Sequence, residues 1–72
     1  SSQPQQLLDQ QQYYALYDFT SRHPNETSLV AGHPVTVLAF HDVEDNPEWW
    51  LVESEGSRGY APANYMAPMP YS

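Results

Sequence analysis

Cysteine is absent from the 72 residues, and so is lysine; the two basic side chains are Arg22 and Arg58. No disulfide and no thiolate metal site can therefore staple this small chain. The absence fits a reducing compartment. Nine acidic side chains face the two arginines, for a net charge of -7. That balance repels phosphate backbones, so nucleic acid is not the expected ligand. Anionic membrane surfaces are disfavoured for the same reason. The natural partner carries positive charge. No apolar run approaches the roughly 18 residues of a membrane span, and no signal-peptide pattern opens the chain. Membrane insertion is not expected. With no Cys nucleophile, no Lys and no Gly-rich phosphate loop, the inventory for an enzyme is missing, and no catalytic residue is singled out.

Aromatic side chains, by contrast, make up 14% of the chain. That share argues against disorder across the whole length. Ser1 to Gln12 is nevertheless biased toward Gln, with Leu7 and Leu8 the only apolar anchors. Residues 1–11 are expected to be a flexible Gln-rich linker, the alternative being a short helix that docks Leu7 and Leu8 on the domain. Residues 68–72 resume linker character. Both ends suggest a piece of a longer protein, with one domain over residues 12–67.

Within that domain Gly, Pro, Asn and Asp recur too often for a helix longer than two turns. Tyr13 to Tyr17, Pro34 to Phe40, Trp49 to Glu53 and Arg58 to Ala61 read as strands, and Met66 opens a fifth. Thr20 to Ser28 and His41 to Glu48 read as loops. Glu55-Gly56 is a hairpin turn in which Gly56 supplies a positive φ. Pro62 to Tyr65 fits a single 3₁₀ turn. Five short strands and no long helix imply a small antiparallel β-barrel.

His23, His33 and His41 are scattered over loops and a turn, so they read as solvated histidines rather than metal ligands. The acidic run Asp42, Glu44, Asp45, Glu48 lacks the central Gly and final Glu of a calcium loop. No metal and no cofactor is expected. The rings carry more information. Tyr13, Tyr14, Tyr17, Phe19, Trp49, Trp50, Tyr60 and Tyr65 exceed what one small core holds. Neighbours on a strand face opposite ways, so Trp49 and Trp50 cannot both point inward. An exposed aromatic groove is the functional reading of that surplus.

The order of these residues resembles a Src-homology-3 (SH3) domain from about Tyr13 to Met66. The family's ALYDY motif stands as Ala-Leu-Tyr-Asp-Phe at 15 to 19. Its G-x-x-G-Y/F-x-P-x-N-Y ending runs unbroken from Gly56 to Tyr65. A narrower likeness is to the C-terminal SH3 domain of Tuba-type, dynamin-binding Rho exchange-factor scaffolds. It is carried by Phe19-Thr20-x-Arg22-x-Pro24-Asn25-Glu26, by the loop from Asp42-Val43 to Glu48-Trp49-Trp50, and by the closing motif.

The resemblance implies a five-stranded SH3-type barrel with one 3₁₀ turn. It also implies a non-catalytic module for proline-rich peptides. A polyproline II helix has three residues per turn and no internal hydrogen bonds. Being ordered already, it loses little entropy on docking between flat rings. By likeness, Tyr17, Phe19 and Tyr65 line one X-Pro slot, and Tyr65, Pro62 and Trp49 the next. Phe19 keeps the ring of the family's second tyrosine without its hydroxyl. Asn64 donates its amide to a ligand carbonyl. Glu26 pairs with the ligand's Arg or Lys, near the hydroxyl of Tyr60, and Asp18, Asp42, Glu44, Asp45 and Glu48 deepen the negative field. Plainer roles compete: Asp18 ordering its own loop, Trp50 packing on the outer face, Pro62 starting the 3₁₀ turn.

Three positions depart from the family pattern. Thr27 and Ala61 stand where larger aliphatic residues are usual, and His33 follows Gly32 where an acid is typical. The core is then expected from Tyr13, Ala15, Leu29, Val35, Val37, Val52 and Met66. The implied partners are proline-rich segments carrying Arg or Lys, with actin regulators of the N-WASP type among them. The implied setting is the cytoplasm, at membranes or junctions through the parent protein, with the domain monomeric. Two other functions fit an acidic, aromatic barrel: a methyl-lysine cage and a ubiquitin-binding SH3 variant. The Pro62-x-Asn64-Tyr65 step favours peptide binding over the first. Tyr65, where ubiquitin binders of the family carry Phe, argues against the second.

Overall fold

The computed structural model describes residues 11–70; the expectations for Leu7, Leu8 and the last two residues lie outside them. Five strands form one antiparallel sheet: β1 (Gln11–Ala15), β2 (Pro34–Ala39), β3 (Trp49–Ser54), β4 (Ser57–Pro62) and β5 (Met66–Pro68), with a 3₁₀ turn at Ala63–Tyr65. The order across the sheet is β4-β3-β2-β1-β5. β2 is the middle strand, and β1 stands between it and β5, with Tyr13 opposite Val35 of β2 and Ala15 opposite Met66 of β5.

Alternation sets the inner face. Val35 and Val37 on β2, Val52 on β3, Ala61 on β4 and Met66 on β5 are buried, and Ala15 and Leu29 complete the core. Two of these seven are alanines, so the core is small. Tyr13, Phe19, Trp50 and Tyr65 close over it as half-buried rings. Tyr13 thus caps the core rather than filling it, and Ala61 is a core member in its own right.

The sheet bends at β2, where the register with β3 slips between Val37 and Ala39. One extra residue on one strand increases local twist and turns the strand out of plane. The β4 edge is covered by the loop between β1 and β2. Phe19 bridges Leu29 within that loop, and Glu26 bridges Tyr60 on β4. The latter contact is exchanged by two bonds: Tyr60 N–H donates to the Asn25 carbonyl at 2.8 Å, and Thr27 N–H donates to the Tyr60 carbonyl at 3.1 Å. Gly59 permits this approach. A Cβ there would lie 2.8 Å from the Glu26 carbonyl carbon and 2.9 Å from the Thr27 nitrogen.

Two local expectations change. The first strand ends at Ala15 instead of running to Tyr17, because the Leu16 N–H turns to the Tyr65 carbonyl at 2.7 Å. That bend frees Tyr17 to face Tyr65. At the β3–β4 hairpin both Glu55 (φ 54) and Gly56 (φ 78) are left-handed. Positive φ at both central residues is the type I′ pattern, whose twist matches the flanking strands. His33 lies 2.6 Å from the Glu55 carboxylate, so the histidine departure has a partner at the neighbouring end of β3 while remaining at the surface.

Thr27 is 2% exposed, and its hydroxyl bonds the Ser57 hydroxyl at 3.0 Å. A polar residue is tolerated there because its hydrogen bond is kept. The Ser54 hydroxyl is buried with no hydrogen-bond partner among the described residues.

Candidate functional site

The β1–β2 loop starts with rings and ends with charge. Asp18 accepts the Ala31 N–H at 2.8 Å, closing the base of the loop. At the tip, the Glu26 N–H donates to the His23 carbonyl at 3.0 Å, a turn with Pro24 and Asn25 at its centre. Proline presets the φ such a turn needs at its second position. Arg22 N–H then donates to Glu26 Oε1 at 2.9 Å, fixing the carboxylate from behind.

The rings form a row. Tyr17 meets Tyr65 edge-to-face at 5.4 Å, Tyr65 meets Phe19 at 5.9 Å, and Phe19 meets Trp49 at 6.0 Å between centroids. Phe19 and Tyr65 rest on the core and hold the row, while Tyr17 is 58% exposed. Pro62 stands opposite Trp49 in the β3–β4 register and leads into the 3₁₀ turn with φ -65. The Ala63 N–H donates to the Glu48 carbonyl at 2.9 Å, which ties that turn to the loop before β3. Asn64 is exposed on the turn. Phe19 reaches both Tyr65 and Trp49, so it joins the two expected slots instead of belonging to the first alone.

Beyond Trp49 lies a pocket of about 270 Å³. Trp49 and Tyr60 wall it, Asn25 and Val43 form its rim, and three carboxylates line it: Glu26, Asp42 and Glu44. None of the three has a cationic partner at ion-pair distance among the described residues. They are not equally free. Asp42 Oδ1 accepts the Glu44 N–H at 2.8 Å and the Asn46 N–H at 3.0 Å, holding the loop in shape. Glu26 keeps one oxygen beyond its bond to Arg22.

Three members of the expected negative field lie outside this pocket. Asp18 faces the Ala31 backbone. Asp45 stands on the loop crest with φ 64, its side chain 91% exposed and 3.7 Å from the His41 ring nitrogen. Glu48 contributes its backbone, donating to Asn46 Oδ1 at 3.0 Å. Conversely, Asn25 and Val43 enter from sequence only through the family likeness, not as site residues, and Asn46 is not singled out. Asn46 is the hub of the second loop, because its carbonyl accepts the Asp42 N–H at 3.1 Å and its side chain takes the Glu48 N–H. The Asp-x-x-x-Asn-Pro spacing is the signal that could have found it, since such side chains cap turns of their own backbone.

No group of three His, Asp or Glu side chains converges as a metal site among the described residues. What the row and pocket offer is shape and charge: flat slots between rings, continued by a desolvating wall and three carboxylates.

The chain matches the family model described as "Variant SH3 domain" over residues 15–67. It is 44% identical over 62 residues to dynamin-binding protein of Rattus norvegicus, covering 86% of this chain and 4% of that protein. It is 51% identical over 59 residues to Rho guanine nucleotide exchange factor 37 of Rattus norvegicus, covering 82% of this chain and 9% of that one. Among solved structures it resembles the C-terminal SH3 domain of myosin IB from Entamoeba histolytica bound to an EhFP10(GEF) peptide. There the TM-score is 0.71 at 29% identity, with 86% of each chain covered. The Acanthamoeba myosin I SH3 domain bound to Acan125 gives a TM-score of 0.70 at 32% identity, over 82% of this chain and 95% of that one. Barrel, closing motif and matched residues agree: the chain belongs to the SH3 family of non-catalytic, peptide-binding modules.

Proposed function

We propose that this domain binds proline-rich segments in the polyproline II conformation that carry a flanking Arg or Lys. The observation that carries the reading is the continuity of the site: the open row of rings ends, across Trp49, at three carboxylates that have no cationic partner among the described residues. X-Pro ridges fit between rings that meet edge-to-face, and exposed ligand carbonyls meet Tyr hydroxyls and the Asn64 amide. The basic side chain then enters the pocket and supplies the missing charge. A methyl-lysine cage needs rings that box one point; here they lie in a line.

Likeness to dynamin-binding protein and to a Rho guanine nucleotide exchange factor supports a place in a signalling scaffold. That the scaffold regulates actin, with N-WASP-type actin regulators among the ligands, is the finer part of the proposal. The proposed setting is the cytoplasm, with recruitment to membranes or junctions by the parent protein; it rests on no relative. The test is an array of proline-rich peptides with and without a flanking Arg or Lys, followed by titration of the hits. Binding confined to P-x-x-P peptides with the basic residue is expected, at micromolar affinity, near -8 kcal/mol for about 1 μM. Failure of every P-x-x-P peptide to bind would overturn the reading.

A further inference from the structure

The two arginines differ in their surroundings. Arg58 faces Glu53 at 3.6 Å, whereas Arg22 has no carboxylate at ion-pair distance among the described residues. Its guanidinium carbon lies 5.9 Å from the centroid of the Phe19 ring. Phe19 is the ring that joins Tyr65 to Trp49, so this cation stands at the lip of the peptide groove. Its backbone is fixed by the bond from its N–H to Glu26. One short turn therefore directs a cation toward the proline slots and an acid toward the pocket beyond Trp49.

We propose that Arg22 reads a second feature of the ligand: an acidic residue on the proline side of the ligand's basic residue, with a second basic residue at that place rejected. The proposal rests on the peptide-binding reading above. In a polyproline II ligand every third residue turns away from the slots, toward the loop walls. The Arg22 guanidinium, held over the Phe19 ring at 5.9 Å with no carboxylate partner among the described residues, keeps its N–H edge free for one. Phe19 has no hydroxyl to compete for that edge. Elsewhere on a surface of net charge -7 an acidic ligand residue is repelled, so attraction confined to Arg22 sets position as well as sign.

The experiment uses short synthetic peptides with one P-x-x-P core and a flanking Arg. Glu, Gln or Lys is walked through the non-proline positions, and each peptide is titrated against the unmodified protein, Arg22→Gln and Arg22→Glu. At one position Glu should bind about 3-fold tighter than Gln, and Lys about 3-fold weaker, the scale of an exposed ion pair. The difference should vanish in Arg22→Gln and reverse in Arg22→Glu. The Gln peptide shows that each variant still folds and binds. Equal affinities for Glu, Gln and Lys at every position, or a preference that survives Arg22→Gln, overturns this proposal alone. If no peptide binds the unmodified protein, both this proposal and the peptide-binding reading fall.

Discussion

Trp49 and Trp50 are neighbours in sequence, yet each belongs to a different aromatic cluster. Trp50 meets Phe40 at 4.7 Å and Tyr13 at 5.3 Å, and Tyr13 meets Phe40 at 5.9 Å. Each ring in that trio touches both others, so the edges are satisfied and no slot remains. The row of Tyr17, Tyr65, Phe19 and Trp49 uses the same edge-to-face contact but does not close. Its flanks stay available, and loops bring unpaired carboxylates to one end. Closed and open arrangements of the same chemistry thus separate a packing cluster from a binding face.

Exchanging the two tryptophans for alanine gives the largest test of that contrast. Trp50→Ala removes the ring that packs on the core and should cost about 3 kcal/mol of stability by urea unfolding. Peptide affinity of the folded fraction should change little. Trp49→Ala should weaken peptide binding by about 2 kcal/mol, the loss expected of an aromatic interface anchor. Its unfolding midpoint should move much less than that of Trp50→Ala. The reverse pattern would mean that the faces of β3 are misassigned.

Gly59→Ala attacks the hinge between barrel and pocket. The added Cβ would meet backbone at 2.8 and 2.9 Å, closer than real contacts allow. Backbone cannot swing aside as a side-chain tip can, so the Asn25–Thr27 segment must leave β4. A stability loss of about 2 kcal/mol is expected, the range of strained or overpacked sites. Binding of an Arg-flanked peptide should fall further than that of the same peptide with Ala for Arg, because Glu26 moves while the ring row stays. Equal losses for the two peptides would place the damage in the fold as a whole.

The sequence was informative where a side chain's type decides its place. The alternation of Val35 and Val37 and the Pro62-to-Tyr65 turn lead to the observed positions; the two tryptophans join different clusters as expected, but Trp50 packs against the core rather than on the outer face. It was silent where backbone geometry decides. Val43 at the pocket rim and Asn46 as loop hub depend on a turn that only the folded loop defines. The acidic run was legible as charge, but a one-dimensional run does not say which carboxylates converge. Asp42 and Glu44 line the pocket, whereas Asp45 and Glu48 are not among its lining residues. Likewise β-prone Leu16 and Tyr17 leave the strand, since a tertiary bond to Tyr65 outweighs local preference.

That division of the acids predicts unequal effects of charge reversal. Glu26→Lys should weaken an Arg-flanked peptide about 10-fold, and Glu44→Lys about 3-fold, because Glu26 is held in place by Arg22 while Glu44 lacks such a bond. With Ala replacing the peptide's Arg, both variants should bind almost as the parent does, the non-additivity that marks direct pairing. Raising salt from about 0.1 M to 1 M shortens the screening length from about 10 Å to 3 Å. The charge-dependent share of affinity should fade while the share from the ring row remains. Additive losses in the double-mutant cycle would remove Glu26 from its assigned role.

The smallest expected effect lies directly behind Glu26. Thr27 is buried, but Ser57, its hydroxyl partner, is exposed. In Thr27→Val the Ser57 hydroxyl can turn to water, so no buried group loses its partner. The new methyl replaces a hydroxyl of nearly the same size, avoiding the overpacking that Ala61→Val risks in a fully buried site. A gain of about 0.5 kcal/mol is the expected balance, burial of a methyl in place of the hydroxyl outweighing the modest net worth of the lost hydrogen bond. For a domain of this size that is a rise of a few degrees in Tm, about 2–4 °C. Peptide affinity should stay the same, because the Thr27 N–H still holds the Tyr60 carbonyl. A fall in Tm would show that the Thr27–Ser57 bond stabilises the loop more than a methyl does. Unchanged stability with altered affinity would instead tie Thr27 to the pocket rather than to the core.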